Sequence, residues 1–408
     1  MRILLCVNAA PLPPMDGFRL VVDALVREFP QRHEVRVLAF HIPGQDERNA
    51  PGYLRLVPYR QPGALGTIGL LLRATLRRRP LRADIDAADL RAALHEELER
   101  FSPDVVHVSS GRLAALGPDL DGYPCVLAAL DAHHVHMRSK VQVATGLRRL
   151  LLAREARNVM RFEATAYRRF DHVTTVTADD RDALLALDPS LKITVIPNGV
   201  DSNRFAPILQ GKREESRLVF TGIMRYAPNI TAAQFLAHRI LPRVRTRHPN
   251  AQLALVGRDP VPAVRALGEL DGVTVSGEVP ELRPWITSSR VYVCPMQDGT
   301  GIKNKLLEAM ACGVPCVATP LAVQGLRCEN GRDLLIAEGE DALADAVVRV
   351  LTDDDLARRL GEAARAYAVE RHSWSAAAKA YEQLYRSVAM LSSASASTAH
   401  DLGAPWTL

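Results

Sequence analysis

The stretch DGTGIKNKLLEAMACGVPCVATP (298–320) decides how this chain is to be read. It runs from a Gly-rich turn through a helix of about three turns to a Gly-Val-Pro stop and a short strand. The spacing predicts that Gly301 opens the helix, that Gly313 and Pro315 close it, and that CVAT (316–319) is extended. Ile302, Leu306, Ala309 and Met310 recur at helical spacing as a buried stripe, while Lys305 and Glu308 share another face. With the apolar run RVYVCP (290–295) before it, this is a strand–helix–strand unit, the building block of a parallel sheet. Its first turn holds Lys303 and Lys305 and no acid, although a helix N-terminus already carries roughly half a positive charge.

The same unit recurs in both directions. Upstream, RILLCV (2–7), HEVRVLAF (33–40), DVVHVS (104–109), YPCVLAA (123–129), HVTTVT (172–177) and KITVIP (192–197) read as strands. Helical patterns at 17–29, 86–100, 146–170 and 179–187 fall between them. The alternation then restarts with strands at 217–222, 251–257, 272–277, 290–295 and 315–319 and a late candidate at 334–337. Helices are expected at 229–246, 261–269, 301–311 and 340–350.

The expected architecture is therefore α/β, with two doubly wound Rossmann-like domains facing across a cleft. Residues 1–197 form the first domain and 198–216, polar and without period, the linker. Residues 217–372 form the second domain, and 373–391 a helix returning toward the first. Residues 392–408, rich in Ser and Ala, are expected to be disordered.

A net charge of +5 over 408 residues permits an anionic ligand or membrane surface and does not call for nucleic acid. The six cysteines form no C-x-x-C pair, and most lie in or beside apolar runs, as buried free thiols of a reducing compartment do. No stretch approaches the roughly 18 apolar residues of a membrane span, and the N-terminal apolar run is shorter than a signal segment. The expectation is a soluble cytoplasmic protein.

Positive charge on a positive helix end makes sense if the turn binds an anion. Backbone N–H groups of Gly299, Thr300, Gly301 and Ile302 can point at phosphate oxygens, and a lysine then adds charge to the ligand. A cation and an acceptor-only carboxylate one turn apart suit a nucleotide, Lys305 to the diphosphate and Glu308 to ribose hydroxyls. The alternative is an ordinary i, i+3 surface ion pair, with lysine in the poorer N-terminal position.

On these residues, GTGIKNKLLEAMACGVPCVAT resembles the nucleotide-sugar motif of the retaining glycosyltransferases of family 4, which have the GT-B fold. IPNGVDSNRFAP (196–207), FTGIMRYAPNITAAQFL, ALVGRDP, VTVSGEVPELRPWITSSRVYVCP and RHSWSAAAKAYEQLY (371–385) are similar in order and spacing. The resemblance implies transfer of a sugar from a nucleotide-diphosphate donor to a glycan, lipid-linked glycan or natural product, without metal or cofactor. It gives the diphosphate to Gly299, Thr300, Gly301, Ile302, Lys303, Asn304 and Lys305, the ribose to Glu308 and the base to the backbone near Val279 and Leu282.

Asp16 and Gly17 resemble the first-strand loop that closes on the donor, with Asp16 also a candidate acceptor contact. Two departures stand out: the family's second acid falls on Thr300, and its Arg and Lys after the first strand of the second domain fall on Ile223 and Pro228. Arg225 is a candidate substitute. An epimerase-like enzyme of the same fold and a non-catalytic nucleotide-sugar-binding protein are the alternatives.

In ALDAHHVHMRSK (129–140), Asp131, His133, His134 and His136 follow a strand end. Asp131 and His134 are the candidate catalytic pair beside Lys305 and Glu308, and His133 and His134 candidate acceptor contacts. Loop histidines without a role and a metal site are the alternatives, the latter lacking a well-placed third ligand. His107 is either an acceptor contact or a core histidine. Residues 60–82 hold six arginines and no acid, and 138–170 nine Lys/Arg against two Glu. Such stretches dock on anionic lipid or are solvated helix faces.

Overall fold

The computed structural model describes residues 1–10, 17–30, 32–41, 51–58, 80, 88–208, 213–299 and 301–401, the last ten by backbone only. Asp16, Thr300, residues 402–408 and all but one of the arginine-rich residues 60–82 lie outside these. The chain divides into two compact units, one of Met1–Pro197 with Ala377–Leu408 and the other of Asn198–Ala376.

The first unit is built on a seven-stranded sheet, all parallel: β1 (Arg2–Val7), β2 (Glu34–His41), β3 (Leu54–Pro58), β4 (Val105–Ser109), β5 (Cys125–Leu130), β6 (His172–Thr175) and β7 (Ile193–Val195). Their order is β3-β2-β1-β4-β5-β6-β7. β4 and β5 are buried at every position, as apolar runs covered by helices on both faces must be. β3, LRLVP, was not anticipated: an edge strand needs no continuous apolar run and tolerates its terminal Pro58.

The second sheet repeats the plan with β8 (Glu214–Thr221), β9 (Gln252–Val256), β10 (Val273–Gly277), β11 (Ser289–Cys294), β12 (Cys316–Ala318) and β13 (Leu335–Ile336), in the order β10-β9-β8-β11-β12-β13. Each sheet reverses its strand order once, at β1/β4 and at β8/β11. Loops after those strands are where such sheets hold ligands.

Numbering only the longer helices, the first unit carries α1 (Gly17–Glu28), α2 (Ala88–Phe101), α3 (His133–Val143), α4 (Gly146–Ala166) and α5 (Ala178–Leu187). α6 (Ala227–Phe235), α7 (Asn304–Ala311), α8 (Glu340–Thr352) and α9 (Asp354–Arg371) belong to the second unit. After α6 the backbone widens to a π-helical turn at Leu236–Ile240, just before Pro242, which cannot donate to the helical ladder.

α10 (Trp374–Asp401) is longer than expected. Residues 392–401 continue it as helix, since Ala394, Ala396 and Ala399 are strong helix formers and no Gly or Pro intervenes before Gly403. Tyr381 and Tyr385 of this helix pack edge-on to His107, with ring centroids 5.4 and 5.9 Å away. All six cysteines are free thiols. No described helix is long and apolar enough to cross a membrane.

Candidate active site

The Gly-rich turn after β11 differs from its expected form in three ways. α7 begins at Asn304 rather than Gly301, because Gly299 and Gly301 sit at φ 106° and 69°, outside helical space. Lys303 is the residue before the helix, and its ammonium turns back onto the carbonyls of Gly299 (3.0 Å) and Gly301 (2.7 Å). The Gly299 N–H donates to the Asp298 carboxylate at 2.6 Å instead of facing outward. The Lys303 charge thus braces the turn, its cost at a helix N-terminus offset by two carbonyl dipoles. Ile302 is buried beneath it.

Lys305 does not share in this bracing of the turn. Its half-buried side chain donates to Asn229 Oδ1 and lies 4.8 Å over the Phe220 ring. Burial lowers its pKa, against the pull of Cys294 and Glu308. Asn229 is itself held, donating from Nδ2 to the Ile223 carbonyl at 3.0 Å. One turn on, Glu308 is half-buried and burial pushes its carboxyl up to about 7, with Arg204 and Lys305 acting the other way. Among the described residues neither Lys305 nor Glu308 is engaged in an ion pair. The surface salt bridge that their i, i+3 spacing allows is not formed. A cation and a carboxylate kept partly out of water without counter-charges are unfavourable until a ligand supplies partners.

Asn229 and Phe220 escaped sequence reading, which looked for charges after β8; the signal available was an Asn in the first turn of the helix following that strand. Gly222 closes β8 where a Cβ would meet Asn229 Nδ2 at 2.6 Å and Lys305 Nζ at 3.2 Å. Gly222→Ala is expected to destabilise the protein by about 1–3 kcal/mol as these groups give way. A denaturant titration checks this, and an unchanged midpoint would show that the cluster yields freely.

The other second-unit candidates are dispersed around this cluster. Asn304 accepts a hydrogen bond from Asn198 Nδ2 at 3.2 Å. Val279 and Leu282 are half-buried in the loop beyond the carboxyl end of β10. Arg225 pairs with Asp259 at 3.4 Å on the exposed surface, away from any contact with Lys305.

In the first unit, Gly17 is the first residue of α1. Asp131 follows β5 directly, beyond Leu130, whose φ of 64° is unusual for a leucine. Burial, then Asp180 and Glu163, raise the Asp131 carboxyl to about 7. His133 opens α3 with its ring half-buried, and burial and Arg112 lower it to about 4, so it is neutral at pH 7.

His134 is buried, and its Nδ1 lies 2.6 Å from Glu163 of α4. The same carboxylate accepts the backbone N–H groups of His133 (2.8 Å) and His134 (3.3 Å). Glu163 is thus the cap of α3, supplied from another helix because the N-cap residue is Ala132. The His134 ring is therefore turned inward onto Glu163 rather than facing outward. His107 is fully buried, Nδ1 2.6 Å from the Tyr385 hydroxyl, and held down to about 3 by burial. That places it in the core rather than on an acceptor. Among the described residues no group of three or more His, Cys, Asp or Glu could hold a metal.

Known proteins give this arrangement a family. Residues 15–204 match the model for Glycosyltransferase Family 4, and 215–353 the model for Glycosyl transferases group 1. The chain is 27% identical over 400 residues to the GDP-mannose-dependent alpha-(1-6)-phosphatidylinositol monomannoside mannosyltransferase of Mycolicibacterium smegmatis, covering 91% of this chain and 95% of that protein. It is 33% identical over 211 residues to the phosphatidyl-myo-inositol mannosyltransferase of the same organism, covering 47% of this chain and 51% of that one.

Its fold is similar to that of sucrose-phosphate synthase from Thermosynechococcus elongatus, with a TM-score of 0.69 at 20% identity over 95% of this chain and 99% of that one. A glycosyltransferase from Rickettsia africae gives a TM-score of 0.64 at 14% identity, over 95% and 98%. Two Rossmann-like α/β domains carrying these two matches in tandem make the chain a glycosyltransferase of the GT-B type, with a family 4 domain followed by a group 1 domain.

Proposed function

We propose that the chain moves a hexosyl group from a nucleoside-diphosphate sugar to a hydroxyl acceptor with retention at the anomeric carbon, needing no metal. The observation that carries this is the Lys305–Glu308 pair, held one helical turn apart, with burial shifting both and no counter-ion among the described residues. A nucleoside diphosphate supplies both missing partners, phosphate oxygens for the ammonium and ribose hydroxyls for the carboxylate. When the diphosphate leaves, charge grows on its oxygens, and in this reading the Lys305 ammonium stabilises it.

The acceptor oxygen then bonds to the anomeric carbon on the face the diphosphate vacates, and a phosphate oxygen takes its proton. Asp131 and His133 are the first-unit groups assigned to the sugar and acceptor hydroxyls. The Mycolicibacterium relative's name specifies GDP-mannose and a phosphatidylinositol mannoside, which makes GDP-mannose the first donor and a glycolipid headgroup the first acceptor to try.

Glu308→Ala tests the assignment by calorimetric titration of nucleotide sugars. Loss of a charged acceptor is expected to weaken donor binding about 10–100-fold. Because the unliganded carboxyl is raised to about 7, wild-type affinity should fall as pH drops from roughly 8 to 6 and the acceptor is protonated. The variant should show a flat profile. Wild-type affinity in Glu308→Ala would remove the ribose role, and donor turnover without any acceptor would favour an epimerase.

A further inference from the structure

The first unit carries an apolar tip that its own packing leaves uncovered. Where α3 ends and α4 begins, Thr145 to Leu151 are exposed at every position. A helix lying on a protein body buries a residue every three or four positions, so the opening turns of α4 stand clear of the body of the unit. Within this tip Val143, Leu147, Leu150 and Leu151 are 84, 72, 68 and 60% exposed. Leu147, Leu150 and Leu151 are spaced i, i+3, i+4 and share one helix face. Such a cluster on a soluble surface marks a contact.

The charge around it narrows the partner. From residue 132 to 154 there is no carboxylate, and the first acid is Glu155. Arg138, Lys140, Arg148, Arg149 and Arg154 are all exposed, with Arg148 and Arg149 between Leu147 and Leu150 in sequence. A second copy docking by the same tip would set these cations against their own like charge. An anionic bilayer suits both parts at once, aliphatic side chains entering the acyl boundary while guanidinium groups meet headgroup phosphates.

We propose that the α3–α4 tip docks the protein on an anionic lipid surface, with Val143, Leu147, Leu150 and Leu151 inserted and the arginines on the phosphates. This stands apart from the transfer reaction, and binding is read without activity. The experiment is flotation of the full chain with phosphatidylcholine vesicles that contain or lack phosphatidylglycerol. Wild type is expected to float with the anionic vesicles only and to be released by salt. Leu147→Ser/Leu150→Ser/Leu151→Ser and Arg148→Glu/Arg149→Glu should each lower partitioning at least about tenfold, with unchanged thermal melting because the residues are exposed.

Leu150→Trp should show blue-shifted emission on those vesicles. Absence of wild-type flotation would overturn the proposal, as would undiminished binding by both variants. A wild-type dimer in light scattering that the leucine variant converts to monomer, with no flotation, would assign the tip to a second copy instead.

Discussion

Lys305→Met is expected to lower donor-dependent transfer by about 10²–10³-fold while leaving the protein folded and no less stable. The physical reason is the imbalance around this side chain. Its ammonium has an amide oxygen and an aromatic face as partners but no carboxylate among the described residues, and burial lowers its pKa. Replacing it with an uncharged chain of similar length removes a desolvated cation without breaking an ion pair, so the fold loses little. What disappears is the charge that the proposed function sets against the leaving diphosphate, whose value is largest in the transition state.

Lys305→Arg should not rescue, since a planar guanidinium fork does not reproduce a single ammonium held on Asn229 Oδ1 and over the Phe220 ring. Lys303→Met offers the contrast. Its ammonium bonds the Gly299 and Gly301 carbonyls, so its loss should loosen the turn and lower thermal stability as well as activity. Steady-state rates with a nucleotide sugar, beside thermal melts of all three variants, check this. Wild-type turnover in Lys305→Met would make the lysine a fold residue and end its catalytic assignment.

Glu163→Ala should cost about 3–5 kcal/mol of stability in the first unit. Glu163 is only 1% exposed, and three donors converge on it: two backbone N–H groups at the start of α3 and the His134 imidazole. The Tyr167 hydroxyl lies 3.5 Å from it as well. Deleting the carboxylate leaves all of them without an acceptor in a place water does not reach, and α3 has no side-chain cap of its own to substitute.

A fall in melting temperature of roughly 10 °C or more is expected for a unit of this size. Glu163→Gln keeps the acceptor oxygen for the helix but not the charge facing His134, and should lie between. Because α3 begins two residues after Asp131, the same variants should lower activity below their melting temperature. A Glu163→Ala melt within a degree or so of wild type would show that α3 does not depend on this cap.

Most of the framework was legible along the chain. Arg2–Val7, Val105–Ser109 and Ser289–Cys294 are apolar runs whose β-rich composition and turn-flanked ends leave little choice, and each is a central strand. The edge strand Leu54–Pro58 and the helix His133–Val143 were not legible. The first has no apolar run and the second has three histidines and little helical periodicity, so neither carries a local signal. Both are held by neighbours: β3 by pairing with β2, and α3 by the carboxylate of Glu163, thirty residues downstream of its first residue.

The sequence by itself determined two parallel-sheet domains, the turn-and-helix unit at 298–320 and the placement of Lys305 and Glu308 on one face, because these follow from periods and spacings within a few residues. Only the tertiary structure decided what each charged group is for. Lys303 and Lys305 are two positions apart and chemically identical, yet one folds onto carbonyls of its own turn and the other reaches Asn229, 76 positions away in sequence. His133 and His134 are adjacent, yet one is half-buried and the other sealed against Glu163. Burial and partners set the free energy of a charge, and both are properties of distant segments brought together by folding.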